Sequence, residues 1–547
     1  MRGTTRTVAV AAMSAVALLA AGCGSSDDGG GDETTAAGQT GGDITVYGCN
    51  PQNPLVPQNT GETCGGNVLN AVFSGLVHYD AETAKPENDI AESIETTDNQ
   101  TFTVTLKQGR KFHDDTEIQA HNFVDAWNYA AYAPNGQYNG YFFEPFEGFE
   151  DMQCTDDECS AVPAAEELSG LEVVDDYTFT IKTNAKVSNL PVRLGYSAFQ
   201  PLPDAFFDDP EAFGDKPIGS GPYQLDSWTK EQSIVLSKFD GYTGDWPGQV
   251  DQITFKIYQD VDAAYNDVLA NNLDIVTSIP TSALIDDKYK SDLPDRNAQK
   301  ETGVIYTITF PPADVDPAYA DPQVRQAISM AINRDEIIQQ IFNGTRVAAT
   351  GWVSPVVDGY KADQCGEYCV YDPEAAKALL EEAGGFDGDT MTLSYNADGD
   401  HKAWTEAACN SISQALDVDC NATGVVDFAT FRQQIGDRKM EGMFRSGWQM
   451  DYPSIENFLA PLYATGASSN DGDYSNPQFD DLLAQAAAAT DPAEANSLYQ
   501  QAEALLATDM PAAPLWYGKA TMGWSDRLNP VAITAFGTVD FPSVSLK

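Results

Sequence analysis

The chain opens with a short basic stretch, an apolar run and a cysteine, and its eight further cysteines form an even set. That combination confines it to folds that mature in an oxidising compartment and are stapled by disulfides. The leader begins Met1-Arg2-Gly3-Thr4-Thr5-Arg6, runs apolar from Val8 to Ala21 and closes on Leu18-Leu19-Ala20-Ala21-Gly22-Cys23. These are the three sections of a secretory signal peptide over residues 1–22. The apolar run falls short of the roughly 20 residues that a membrane span requires. With Cys23 set aside, the others are sequence neighbours: Cys49 with Cys64, Cys154 with Cys159, Cys365 with Cys369, Cys409 with Cys420. Bridges between neighbours are the expectation, although sequence alone does not fix pairing. Zinc fits poorly, since no pair has C-x-x-C spacing and none of His78, His113, His121 and His401 stands beside a cysteine.

The 547 residues, 42% hydrophobic, suffice for two or three lobes. Lys and Arg number 30 against 82 Asp and Glu, a net charge of −52 spread along the chain. Such a charge repels phosphates, which makes nucleic acid and anionic lipid poor partners. The tract from Gly24 to Gly42 is polar and rich in Gly and Thr, so residues 23–42 read as a disordered tether. No later stretch is apolar enough to span a bilayer.

Periodicity alternates between strand and helix. Asp43–Tyr47, Thr101–Leu106, Tyr177–Ile181, Ile234–Leu236 and Ile253–Ile257 read as strands. Leu69 to Leu76 and His121 to Trp127 have helical spacing. Asp321-Pro322 and Asp372-Pro373 each supply an N-cap and a first-turn proline to an amphipathic helix. Phe479 to Thr490 and Pro492 to Leu506 read as an alanine-rich helical pair. Interleaved strands and helices of this kind make the chain α/β.

Catalytic motifs are wanting. There is no phosphate-cradling G-x-x-x-x-G-K-[ST] and no H-E-x-x-H. Ser220 lacks the preceding glycine of a nucleophile elbow, because Ile218 stands there. Asn396-Ala397-Asp398-Gly399-Asp400 alternates oxygens like a calcium loop, but His401 replaces the required glycine. No cofactor and no metal site is therefore expected. A glycosidase pair of carboxylates needs no local motif and stays open as an exported hydrolase.

Several segments instead resemble one family. They are Val72–Asp80 followed by Pro86 and Ala91-Glu92-Ser93, Phe102–Thr116, Pro217–Tyr223, Val324–Arg334, Tyr371–Leu380 and Gly447–Pro453. In order and along most of the chain, they are similar to the extracellular solute-binding proteins, family 5, of bacterial peptide ABC transporters: the oligopeptide- and dipeptide-binding lipoproteins. The close of the leader resembles a lipobox, departing from it at Ala20, where Leu is preferred. The resemblance implies a two-lobed, periplasmic-binding-protein-like α/β fold of type II. An extra subdomain enlarges the first lobe, and the ligand lies in an interlobe cleft. The implied division is lobe 1 over 43–70, 196–302 and 516–547, the extra subdomain over 71–195 and lobe 2 over 303–515. Partners would be a peptide, the permease of an ABC importer and the membrane, reached through a lipid on Cys23; the protein would act as a monomer. The same scaffold binding an oligosaccharide, a nickel chelate or a siderophore is the alternative.

By the same resemblance, Asp451 receives the peptide amino group, Gly447 and Gln449 offer strand backbone and Arg445 meets a ligand carboxylate. Thr63, Cys64 and Gly65 form a ligand-facing loop on the other lobe, and Tyr138 and Phe428 are pocket walls. Structural roles are expected for three further features: a turn at Gly219, Gly221 and Pro222, carbonyl capping or ion pairing at Arg325, and a core position for Phe112.

Overall fold

The computed structural model describes residues 41–547, apart from 157, 158, 398–400 and 427. The expected leader, Cys23 and the tether as far as residue 40 lie outside the described residues, as do Asp398, Gly399 and Asp400. An 11-stranded mixed sheet is the frame. At its centre are two antiparallel strands of 13 residues each, Asn297–Thr309 and Ala512–Trp524. To one side follow Ile275–Val276, Asp43–Gly48, Gln252–Ile257, Ser233–Lys238 and Tyr223–Thr229. To the other follow Met443–Gln449, Thr390–Asn396 and Asp419–Val425.

The two long strands join two lobes. Their pairing runs from Asn297↔Gly523 to Glu301↔Lys519, loses register, and resumes at Ile305↔Tyr517. The apolar core changes at the same place. Met522 and Trp524 are buried in one core with Ala298 and Ala520 packed on it, whereas Ile305, Ile308, Leu515, Trp516 and Tyr517 belong to another. Close-packed cores resist deformation, so relative motion concentrates where an irregular strand pair passes between them.

The first core extends through a four-stranded antiparallel sheet, in the order Ala91–Thr96, Thr101–Leu106, Thr178–Lys182, Leu171–Asp175. Alternation does what the sequence suggests: Phe102, Val104 and Leu106 are buried, while Thr101 and Thr103 face out. The helix Ala120–Ala131 buries Phe123 and Trp127 against it. Both Asp-Pro helices form, with Asp321 accepting from the Gln323 N–H at 2.9 Å and Asp372 from the Ala375 N–H at 3.0 Å. The four neighbouring cysteine pairs form disulfides.

One helix differs from expectation. It spans Thr63–Val72 rather than Leu69 to Leu76, and Phe73 is already extended, with φ −119° and ψ 144°. The chain leaves the helix because outside partners claim its backbone. The Gly221 N–H donates to the Val72 carbonyl at 2.8 Å, and the Ser74 N–H donates to Ser220 Oγ at 2.9 Å. A Cβ on Gly219 or Gly221 would overlap the Val72 backbone, so this segment is glycine-rich for close approach. Arg325 donates to the Tyr319 and Ala320 carbonyls at 2.7 and 2.8 Å and to the Met510 carbonyl at 2.9 Å. It ties a helix end to its neighbours. Phe112 is fully buried.

Candidate functional site

A cavity of about 400 Å³ lies where the lobes meet. Its wall takes Thr63, Tyr79 and Tyr196 from the first half of the chain, Gln449 and Asp451 from beyond the hinge, and Phe536 from the C-terminal segment. An adjoining cavity of about 250 Å³ shares Thr63, Asn67, Gln449, Phe536 and Thr538 with it.

Asp451 stands two residues past the end of the strand Met443–Gln449 and is half-buried. Asn457, itself buried, holds it from two sides. The Asp451 N–H donates to Asn457 Oδ1 at 2.9 Å, and Asn457 Nδ2 donates to Asp451 Oδ2 at 2.9 Å. Trp448 Nε1 donates to the same Asn457 Oδ1 at 3.1 Å, which fixes the amide's orientation. Oδ1 of Asp451 has no hydrogen bond, and no Lys or Arg pairs with this carboxylate among the described residues. Burial therefore pushes its pKa up to about 6, against the hydrogen bond from Asn457. Its charge is felt across the cavity: after burial itself, Asp451 is a leading cause of the raised pKa values of Tyr79, Tyr141 and Tyr196.

Behind Asp451 the lobes are tied by a polar network. Arg193 pairs with Glu456 at 3.0 Å, and Asn189 Nδ2 donates to Glu456 Oε2 at 2.7 Å. Tyr452 Oη donates to the same oxygen at 2.9 Å. Arg193 and Asn189 come from the first half of the chain, Glu456 and Tyr452 from the second.

The strand leading to Asp451 has an open edge. One side pairs with Val304–Thr309 along its length, whereas the other pairs with Thr390–Asn396 only at Met443 and Phe444. Period-2 alternation puts Arg445, Gly447 and Gln449 on one face. Gly447 and Gln449 are exposed, and Gln449 lines both cavities. Arg445 lies further along. Its guanidinium is bound to Asn396 Oδ1 and sits 5.2 Å from the ring centroids of both Phe428 and Phe431.

On the opposite wall, Thr63 and Cys64 are the first turn of a helix rather than a loop. Glu62 caps it, accepting from the Cys64 and Gly65 N–H groups at 2.7 and 2.8 Å. Thr63 lines both cavities and Cys64 the smaller one; Gly65 is buried and lines neither. The Cys49–Cys64 bridge pins this turn to the end of the strand Asp43–Gly48. Tyr138, 62% exposed, lies against Gly61, and Phe428, 48% exposed, covers Arg445; neither lines a cavity.

The family model for bacterial extracellular solute-binding proteins, family 5 (middle region), matches residues 85–470. The chain belongs to that family. Among curated relatives, it is 27% identical over 469 residues to the periplasmic oligopeptide-binding protein OppA of Salmonella typhimurium, covering 82% of each chain. It is 26% identical over 508 residues to the dipeptide-binding protein of Escherichia coli, covering 87% of this chain and 89% of that one. In fold it is similar to the unliganded open form of the periplasmic murein tripeptide-binding protein MppA. That match has a TM-score of 0.76 and 22% identity over 93% of this chain and 99% of the other. HbpA2 of Haemophilus parasuis gives a TM-score of 0.77 at 21% identity, over 92% and 100%.

This family 5 solute-binding protein also carries cavity residues that sequence reading missed as such. Tyr79 lies in the first family-like segment, at the end of the strand Val77–Tyr79, and its place on the wall is visible only once Asp451 is opposite. Tyr196 and Asp540, on the same wall, and Asn457, which holds Asp451, have no local pattern to mark them. Among the described residues, no helix is long and apolar enough to cross a membrane.

Proposed function

We propose that this protein captures short peptides between its lobes and delivers them to the permease of an ABC importer, as a binding component rather than a catalyst. The single observation that carries the reading is Asp451. It is an interlobe carboxylate held in place by Asn457, with one oxygen free and no cation of its own. A peptide's ammonium is the group that satisfies it, and a buried charge left unpaired penalises ligands without an amine. Main chain along the open edge from Arg445 to Gln449 would hold the peptide backbone by β-addition, over about 13 Å or roughly four extended residues. Arg445, at the far end of that edge, is the proposed partner of a ligand carboxylate. Thr63 and Cys64 close the site from the other lobe, Gly65 gives their turn its tight cap, and Tyr138 and Phe428 border the entrance. The names of the relatives, an oligopeptide-binding and a dipeptide-binding protein, agree with this reading.

The change of core between Tyr517 and Ala520 supports a return to lobe 1 near residue 516, and the register break after Glu301 supports a crossing to lobe 2 near residue 303. A diacylglycerol on Cys23 would hold a monomeric receptor beside its permease on the outer face of the membrane. Calorimetry with trialanine and N-acetyl-trialanine tests the ligand class. The free amine should bind more tightly by about 3 kcal/mol, roughly hundredfold, and Asp451→Asn should abolish the difference. Equal affinities for the two peptides would remove Asp451 as the ammonium site, and binding of neither would remove the peptide reading.

A further inference from the structure

The larger cavity is one-sided in charge. Glu62, Asp80, Asp89, Asp451 and Asp540 line it, and no Lys or Arg does. The nearby cations are engaged elsewhere. Arg110 pairs with Asp89 at 3.1 Å, Arg193 with Glu456 at 3.0 Å, and Lys300 donates to the Ala81 and Glu82 carbonyls at 2.6 and 3.0 Å. Four of the five carboxylates also have internal work. Glu62 caps a helix, Asp80 accepts from the Thr83 N–H at 2.7 Å, Asp89 holds Arg110 and Asp451 is bound by Asn457. Asp540 is different: its half-buried carboxylate has neither a hydrogen bond nor an ion pair among the described residues. An unpaired carboxylate on the wall of a ligand cavity is satisfied by a ligand's cation. Aromatic surface lies alongside: His78 stacks on Trp246 with ring centroids 4.1 Å apart, and both line the cavity. The Asp540 charge reaches His78, since it opposes the lowering of that imidazole's pKa by burial.

Resting on the peptide reading above, we propose that this end of the cavity is a subsite for a cationic side chain, and that Asp540 selects peptides carrying Lys or Arg. Asp451 already answers one ammonium, so a ligand with a single positive charge leaves Asp540 unanswered. A lysine or arginine side chain brings the second charge, and a glutamate side chain would meet only other carboxylates. The adjoining cavity has no charged residue on its wall and suits an uncharged side chain of the same peptide.

Titration calorimetry of the full chain at pH 7.5 tests this with trialanine, its three single-Lys isomers and its three single-Glu isomers. At least one Lys isomer should bind about tenfold more tightly than trialanine, and every Glu isomer more weakly than trialanine. Asp540→Asn should bring the best Lys isomer to within about threefold of trialanine, whereas general attraction to a net charge of −52 would survive the loss of one charge. Lys, Ala and Glu peptides binding within threefold of one another would overturn the subsite and leave the peptide reading standing, as would a Lys preference that Asp540→Asn does not move. Failure of every peptide to bind would overturn both.

Discussion

At the scale of the residue, two carboxyls make opposite kinds of prediction. Asp451 titrates near 6 because burial disfavours its charge, yet its proposed partner is an ammonium that requires the charge. Peptide affinity should therefore be flat from about pH 6.5 to 7.5 and fall up to about tenfold per unit below 6. It should fall again above about pH 8, where the peptide amine loses its proton. Calorimetry near pH 5.5 in buffers of different ionisation enthalpy should find protons released on binding; uptake would contradict the pairing. Glu503 is a matter of stability. It is fully buried, accepts from the Trp352 N–H at 2.9 Å through Oε1, and leaves Oε2 unpaired. Burial pushes its pKa up to about 7 from the usual 4.5. Between those values the folded protein keeps a proton that the unfolded chain releases, so stability declines as pH rises through the window. The whole effect is about 3 kcal/mol. Glu503→Gln should shrink the difference in urea-unfolding free energy between pH 4.5 and pH 8 by about that amount. An unchanged difference would show that Glu503 ionises in the folded state as easily as in water.

At the scale of the element, the legible parts were those whose pattern is local. The strand Thr101–Leu106 alternates because one face is solvated, and the Asp-Pro helices announce their own caps. The two hinge strands gave no such sign. Asn297–Thr309 begins with polar residues, and Ala512–Trp524 carries Pro514 and two glycines, which ordinarily argue against a central strand. The irregularity accounts for them: register shifts beside Pro514, where Tyr306 faces Trp516 but Thr307 faces Pro514. Helix Thr63–Val72 was misplaced for a related reason, since its end is set by glycines that lie far along the chain. The tie between elements across the cleft is testable. Arg193→Met leaves the buried Glu456 carboxylate with only Tyr452 and Asn189 as donors, at a cost of about 3 kcal/mol. Arg193 belongs to one lobe and Glu456 to the other, so the loss should appear as weaker peptide binding and a larger radius of gyration in solution scattering with ligand present. An unaltered radius and affinity would mean that the pair does not hold the lobes together.

At the scale of the whole molecule, ligand binding and lobe closure become one equilibrium. Tyr79, Gln449, Asp451 and Asp540 are far apart in sequence and form a single wall only when the lobes face each other. A ligand shifts that arrangement only by as much as it binds the closed form more tightly than the open one. This is also why the site was half-legible. Asp451 could be placed from the segment around it, but the residues opposite answer to it through the fold alone. The most direct measurement is a crystal structure of the complex with trialanine. The predicted result is an ammonium nitrogen within about 3 Å of Asp451 Oδ1 and a peptide backbone paired to the open edge between Arg445 and Gln449. A peptide bound with its amino end away from Asp451, or bound outside the interlobe cavity, would contradict the account.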